Sequence, residues 1–461
     1  MMNLSRFTKS LLSIAAIILA SSLSAKTDQD VSGATARTSP DWLRSATIYE
    51  IFPRHFSPAG NLAAVTAKLD ELKDLGVTVL WTMPIHPIGE KFRKGEFGSP
   101  YSIKDYYAID PNYGTLADFK ALVDGAHQRG MKVIMDLVAN HTAWDSVMMT
   151  NTDFYKQDAP GHVIPPVPEW TDVAGLSYAT PQLRDYMIAM LKYWIKECEV
   201  DGFRCDVAYM VPTDFWEQAR AELTKVKPDI MMLAEASKPE LLTKAFDLDY
   251  SWPLHAKLND VMLHNASATE LRKSWEQSRR EFPKNSLHLR FSDNHDEARA
   301  VARFSFKGAL AANAIMFTLD GVPLLYNGNE VGDATESGDP ALFDKLTICW
   351  HPKERPKLRE IYQQLIQMRK DYGALRSDNV NWLPNSDESK IVSYTRSDAK
   401  DEFLVVVNLS NRPVSGSVKI SNAAEFKPVT ICSVADTATG DLPRFQLDGF
   451  GWRIYHRSTT K

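Results

Sequence analysis

The sequence predicts an α/β fold: a closed parallel (β/α)8 barrel of the TIM type, interrupted after its third strand by a short inserted loop domain and followed by a C-terminal antiparallel β-sandwich. Three observations point there. From residue 47 onward, short apolar runs alternate with stretches of helical period, and eight such runs precede residue 330. No glycine-rich nucleotide loop follows the first run, which argues against an open, doubly wound sheet. Beyond residue 377 the pattern changes to short runs of period two, the mark of antiparallel strands half exposed to water.

The first strand is expected over 47–52. A helix follows with Leu62, Val65, Leu69 and Leu72 on one face, and Gly76 ends it. The second strand covers 77–81, and a long loop then runs to Tyr113. Thr115 caps a helix that turns Leu116, Phe119, Leu122 and Val123 inward, and the third strand covers 131–138. Residues 141–180 break the rhythm. They are rich in Pro, Asp and Trp, carry Pro165-Pro166-Val167-Pro168, and are too long for a plain connection, so they are read as the inserted loop domain. Thr180-Pro181 opens a strong helix through Met187, Leu191 and Trp194, with proline at the first helical position. The fourth strand covers 202–206, Thr213 caps the next helix, and the fifth strand covers 231–235. The sixth, over 246–250, is weaker; the seventh covers 287–292 and the eighth 322–326. With a helix over 357–372 the barrel domain spans 41–376. Strands over 391–396, 402–408, 414–420 and 452–456 make the sandwich of residues 377–461.

Arg6 and Lys9 precede an apolar run from Leu11 to Ala20 and then small residues up to Ala25. That reads as a secretory signal over residues 1–25, its apolar run too short to span a bilayer. Residues 26–40 are expected to be a flexible polar leader, and the mature chain to be exported, periplasmic or secreted, with no membrane association after cleavage. A net charge of −5 offers no electrostatic reason to bind nucleic acid or an anionic membrane. The four cysteines have neither zinc-site nor disulfide-framework spacing, and a bridge between Cys198 and Cys205 stays open. Eleven Trp and sixteen Tyr supply flat faces that suit sugar rings, although most belong in a core.

In a barrel of this kind, polar residues at the carboxyl ends of the strands are candidates for function. The third strand ends in Asp136, Asn140 and His141, the fourth in Arg204 and Asp206, the fifth in Glu235, and the seventh in Asn294, His295 and Asp296. Arg204 and Asp206 are two apart and share a side of their strand, so the guanidinium is expected to keep Asp206 ionised. One strand–helix unit separates Asp206 from Glu235, and two separate Glu235 from Asp296. Three carboxylates then converge on one rim, where repulsion raises the pKa of at least one. Glu235 follows the apolar run Met231-Met232-Leu233-Ala234 and is the expected proton carrier. A charged nucleophile beside a protonated acid is the pair that retaining glycoside hydrolysis requires. His141 and His295 each stand alone, so no metal site is expected.

Four stretches, in order and spacing, resemble the α-amylase family of retaining α-glucan hydrolases and transferases: Asp136-Leu-Val-Ala-Asn-His141, Asp201-Gly-Phe-Arg-Cys-Asp206, Met232-Leu-Ala-Glu235 and Phe291-Ser-Asp-Asn-His-Asp296. The resemblance implies that Asp206 is the nucleophile, Glu235 the acid and base, and Asp296 the stabiliser of a distorted sugar. It implies that Arg204, His141 and His295 hold the ring and the carboxylates, and that Tyr101 stacks on substrate. Where many family members carry a Lys-His pair that helps a sugar subsite and a calcium ion, this chain has Tyr209 and Met210. Where many have a Pro-Asp-Leu core, it has Ala174-Gly175-Leu176. No cofactor is therefore expected, the usual calcium pattern being incomplete. The implied partner is an α-glucan or maltooligosaccharide, cleaved by water; the alternatives are transfer to a sugar acceptor or isomerisation on the same scaffold and, behind these, a catalytically inactive glucan-binding protein. Trp144 and Trp170 in the inserted segment are candidate subsite aromatics, whereas Trp382 and Trp452 are expected in the core of the sandwich.

Overall fold

The computed structural model describes residues 30–351, 358–432 and 440–460; the segment read as a signal lies outside the described residues. Among the described residues, ten strands precede residue 330: β1 (Ile48–Ile51), β2 (Val79–Thr82), β3 (Lys132–Leu137), β4 (His141–Ala143), β5 (Val173–Gly175), β6 (Gly202–Cys205), β7 (Met231–Ala234), β8 (Leu248–Tyr250), β9 (His288–Arg290) and β10 (Val322–Tyr326). Eight of them close into a parallel barrel in the cyclic order β1, β2, β3, β6, β7, β8, β9, β10. The remaining two, β4 and β5, pair antiparallel as a ribbon standing on the loop after β3, with His141 opposite Gly175. This ribbon, with the short 3-10 turns Val147–Thr150 and Thr152–Phe154, is the inserted segment.

Each barrel strand sends alternate residues inward. Ile48, Val79, Trp81, Ile134, Met231, Leu233, Leu248, Tyr250, Leu289, Val322 and Leu324 form one interior cluster, closed below by Leu43 from the 3-10 turn Asp41–Ser45. The two-residue alternation carries a polar group inward one step above this layer on three strands, Glu50 on β1, Asp136 on β3 and Arg204 on β6, all fully buried. The outer helices pack as their apolar periods require. Thr115 and Asp118 form a capping box at the start of Leu116–Gln128. Pro181 opens Pro181–Cys198. Gly76 ends Leu69–Leu75 at φ 100°, where a Cβ would lie 2.7 Å from Ile366. Thr213 is not a cap: it is the first residue of Thr213–Thr224, and Pro212 precedes it without a side-chain bond.

Residues 30–40 correct the expectation of a flexible leader running to residue 40. Ala36 N–H donates to the Lys284 carbonyl, Arg37 N–H to that of Leu242, and the Arg37 guanidinium pairs with buried Asp247. The segment is tied down because Asp247, at the foot of β8, needs cations, and Arg37 and Arg220 both supply them. Cys198 and Cys205 are both free and buried, so no bridge joins them. Among the described residues, no helix is long and apolar enough to cross a membrane.

The C-terminal region holds β11 (Val380–Trp382), β12 (Ile391–Ser397), β13 (Asp401–Asn408), β14 (Val414–Ser417), β15 (Lys427–Pro428), β16 (Arg444–Leu447) and β17 (Trp452–Ser458). Its main sheet is antiparallel in the order β11, β12, β13, β17, β15, and β14 pairs with β16. Val392, Phe403, Val405 and Val407 face the barrel helices, whereas Ile391, Leu404 and Val406 pack on Val414, Phe445 and Leu447.

Candidate active site

Arg204 is the centre of the carboxyl rim. It has no exposed surface and stands in β6, so its guanidinium must find its partners among neighbouring strands. Nη1 lies 2.9 Å from Asp136 Oδ1 and 3.3 Å from Asp206 Oδ1, and Nη2 lies 2.9 Å from Glu235 Oε1. The rings of Trp81, Tyr101 and Tyr250 surround it at 5.1–5.7 Å. One cation therefore serves three strand ends.

Asp206 follows the last residue of β6, and its backbone N–H is held by the Leu137 carbonyl on β3. Its Oδ2 is buried without a hydrogen-bond partner. Glu235 follows β7, its N–H donating to the Cys205 carbonyl. Glu235 Oε2 accepts the Val207 N–H at 2.7 Å. Val207 makes that bond at φ 36°, ψ 47°, a left-handed conformation that a β-branched residue strongly resists. The turn after β6 thus holds strain in the conformation that ties it to Glu235.

Asp296 stands on the loop after β9, its N–H donating to Asn294 Oδ1 at 3.1 Å, and its Oδ2 lies 3.3 Å from His295 Nε2. His295 stacks on Tyr101 with ring centres 5.4 Å apart. The Tyr101 hydroxyl lies 2.7 Å from His295 Nε2 and donates to Asp136 Oδ2 at 3.2 Å. His141 opens β4, and its ring meets the edge of Trp170 at 5.5 Å. Of the seven residues predicted for the site, six (Tyr101, Arg204, Asp206, Glu235, Asp296 and His295) thus join one linked set, and His141 stands beside them with its Nδ1 3.3 Å from Asn140 Nδ2.

The electrostatics follow from burial. Desolvation first, and then the charge of Glu235, push the Asp206 carboxyl well above the usual carboxylate range, against the pull of Arg204. The expectation that Arg204 keeps Asp206 ionised is corrected accordingly: the guanidinium is shared with Asp136 and Glu235, and burial outweighs its help. Asp136 is pushed up to about 6 and Asp296 to about 7, again chiefly by burial. His141 is lowered to about 4 for the same reason, so its ring is neutral over the ordinary range of pH.

Two participants escape a reading by strand ends alone. Val207 gives no sign in sequence of its backbone role. Glu50 does: it is a lone carboxylate inside the apolar run Ile48-Tyr49-Glu50-Ile51, and its Oε1 lies 2.5 Å from His295 Nδ1. The departures Tyr209 and Met210 also border the site. Burial and the charges of Glu235 and Asp206 push Tyr209 up to about 12, and Met210 Sδ lies 3.8 Å from Asn140 Nδ2. Trp144 donates its Nε1–H to the Thr171 carbonyl and meets the exposed Phe92 edge-on. Among the described residues, no group of three or more His, Cys, Asp or Glu is arranged to hold a metal.

Glycosidases place paired carboxyl groups around the scissile bond, and the chain falls in that class of enzyme. It belongs to the α-amylase family: the profile described as "Alpha amylase, catalytic domain" matches residues 24–161 and 169–350. It is 28% identical over 465 residues to a cyclomaltodextrinase of Geobacillus thermopakistaniensis, an alignment covering 90% of this chain and 77% of that protein. An α-amylase structure from Lactobacillus plantarum superposes with a TM-score of 0.80 at 33% identity, covering 90% of this chain and 99% of the other. A maltogenic α-amylase structure from Thermotoga neapolitana does so with a TM-score of 0.81 at 31% identity, covering 90% and 99%.

Proposed function

We propose that this α-amylase-family glycosidase hydrolyses α-glucosidic bonds of maltooligosaccharides and starch-derived glucans with retention. The observation that carries the reading is the buried, unpartnered Asp206 Oδ2 in a rim shared with Glu235 and Asp296. In the first step Asp206 Oδ2 bonds to the anomeric carbon as the glycosidic C–O bond breaks, and Glu235 gives its proton to the leaving oxygen. In the second step Glu235 takes a proton from water, the water oxygen bonds to the anomeric carbon, and Asp206 departs as carboxylate. Two close carboxyl groups hold protons as a pair, which fits the raised Asp206. Asp296 receives sugar hydroxyls as charge develops on the ring, Tyr101 offers a face to it, and His141, His295 and Arg204 hold the donors and acceptors in place.

Asp206→Asn removes the nucleophile and keeps the volume. Turnover of maltoheptaose is expected to fall by about 10³-fold or more, as for the loss of other covalent nucleophiles. Equal kcat in variant and wild type would end the reading. The cyclomaltodextrinase and maltogenic amylase relatives support short and cyclic α-glucans as substrates.

Export rests on the N-terminal pattern alone, and a relative from Bacillus subtilis, 28% identical, is called an intracellular maltogenic amylase. We infer export from Arg6, Lys9 and the apolar run that follows them. Mature protein beginning near residue 26 outside the cytoplasm is the expected result; an intact N-terminus on cytoplasmic protein overturns it.

A further inference from the structure

Phe92 combines two unfavourable features. Of the large apolar side chains among the described residues it is the most exposed, at 61%. It also stands at φ 61°, in the left-handed region that a Cβ disfavours. Neither feature comes from a loose turn. Gly89 N–H donates to the Ser102 carbonyl, and Arg93 Nε–H returns to the Gly89 carbonyl at 2.9 Å. Glu90 N–H donates to the Asp145 carboxylate at 3.1 Å, and Lys94 Nζ pairs with Asp172 at 2.8 Å. The turn is thus tied at two points to the inserted segment. Backbone strain that its surroundings hold in place points to a functional position.

The turn sets Phe92 against Trp144, with ring centres 5.8 Å apart and planes at 89°. Trp144 is half-buried, and its Nε1–H donates to the Thr171 carbonyl at 3.0 Å, which fixes the indole beside the stretch that carries Trp170. The Trp170 ring in turn meets that of His141 at 5.5 Å. Trp144 lies three residues beyond His141 in the chain. Even fully extended, that stretch reaches about 11 Å at most. The aromatic pair therefore adjoins the catalytic rim, within a few sugar units of it. Lys91 Nζ lies 5.4 Å from the Phe92 ring centre, and Glu90 pairs with Lys104 nearby. A fixed apolar face bordered by charged hydrogen-bonding groups suits a pyranose, whose C–H face stacks while its hydroxyls reach outward.

We propose that Phe92 and Trp144 form an outlying subsite that stacks on a glucose unit of an α-glucan chain leaving the pocket, and so select long chains over short ones. The subsite deepens the proposed hydrolysis and rests on that reading for its kinetic effect, though not for binding. The unit it holds does not react, so the contact is equal in ground and transition states. Its loss then raises KM and leaves kcat in place.

Phe92→Gly separates the ring from the fold, because glycine accepts a positive φ without strain. The full-length variant is expected to melt no lower than wild type, while KM for soluble amylose rises about 10-fold at constant kcat. The loss grows with chain length, so KM for maltotriose, which is too short to span from rim to pair, moves far less. Phe92→Tyr keeps a ring and is expected to keep the amylose KM. Calorimetry of amylose binding, with Asp206→Asn added to stop turnover, is expected to show the same rise in Kd for Phe92→Gly. Unchanged amylose KM and Kd in Phe92→Gly overturn the inference. So does an equal loss on maltotriose and amylose, or a lower melting temperature with no dependence on chain length, either of which makes Phe92 structural. A shift in size-exclusion elution with unchanged amylose affinity assigns the pair to a contact between two copies of the chain, and also overturns it. A wild type that turns over no glucan defeats the proposed hydrolysis, and the calorimetry still decides the subsite.

Discussion

Arg204 cannot neutralise the carboxyl groups gathered on it, and the surplus has a thermodynamic signature. In the unfolded chain Asp136 and Asp296 titrate near 3.8; in the fold, burial moves them to about 6 and about 7. Between these limits the folded protein binds more protons than the unfolded one, so stability falls as pH rises. The stabilising share is whole at about pH 4 and lost by about pH 8. Asp296→Asn removes one of these groups without changing volume. It is expected to melt with wild type at about pH 4 and above it at about pH 8, by about 2–4 °C for each kcal/mol relieved in a large domain. Thermal melts at both values check it; an advantage of equal size at both would show that titration of Asp296 is not the cause. The same variant loses activity, as a strained functional cluster trades stability for chemistry.

Elements set the spacing of that cluster. Gly202 opens β6 opposite Met231 of β7, and a Cβ there would stand 2.2 Å from the Met231 carbonyl oxygen. Gly202→Ala must spread the two strands that carry Arg204 and Glu235. A loss of about 1–3 kcal/mol from overpacking is expected, read from urea melts, with a fall in kcat because both strand ends move. Strand spacing was legible in the sequence because barrel strands buried on both faces read as unbroken apolar runs: β10 spans Val322–Tyr326 as expected, and β6 differs by one residue. Where a run met a polar group with its own local partner, the reading overshot. The sixth strand was expected from residue 246, but Asp247 is held by Arg220, Arg37 and the Met232 N–H, and β8 begins only at Leu248. The edge strands β11 and β15 are two or three residues long and carry no period to detect. Glu50 escaped because its partner, His295, lies far along the chain, and spacing alone cannot announce such a pair.

The molecule as a whole is joined through the helix Ala300–Thr318. Its Thr318 hydroxyl bonds Tyr394 at 2.6 Å, and its carbonyl receives Arg396, both from β12. Asp320 beyond it pairs with Arg290 of β9 and accepts from Trp275, whose ring packs on Trp382 of β11. Removing residues from 377 onward strips Val392, Phe403, Val405 and Val407 from the common core. The barrel alone is expected to aggregate on expression, checked by soluble yield and size-exclusion elution against the full chain; a monodisperse, cooperatively melting 30–376 fragment would contradict it. At the opposite pole, the anchored stretch of residues 30–40 leaves the barrel beside Asp247 and Lys284, at the floor sealed by Leu43. A support, fusion partner or affinity handle attached ahead of it would hold the protein by its base, with the mouth open to solution and to long, entangled polysaccharide.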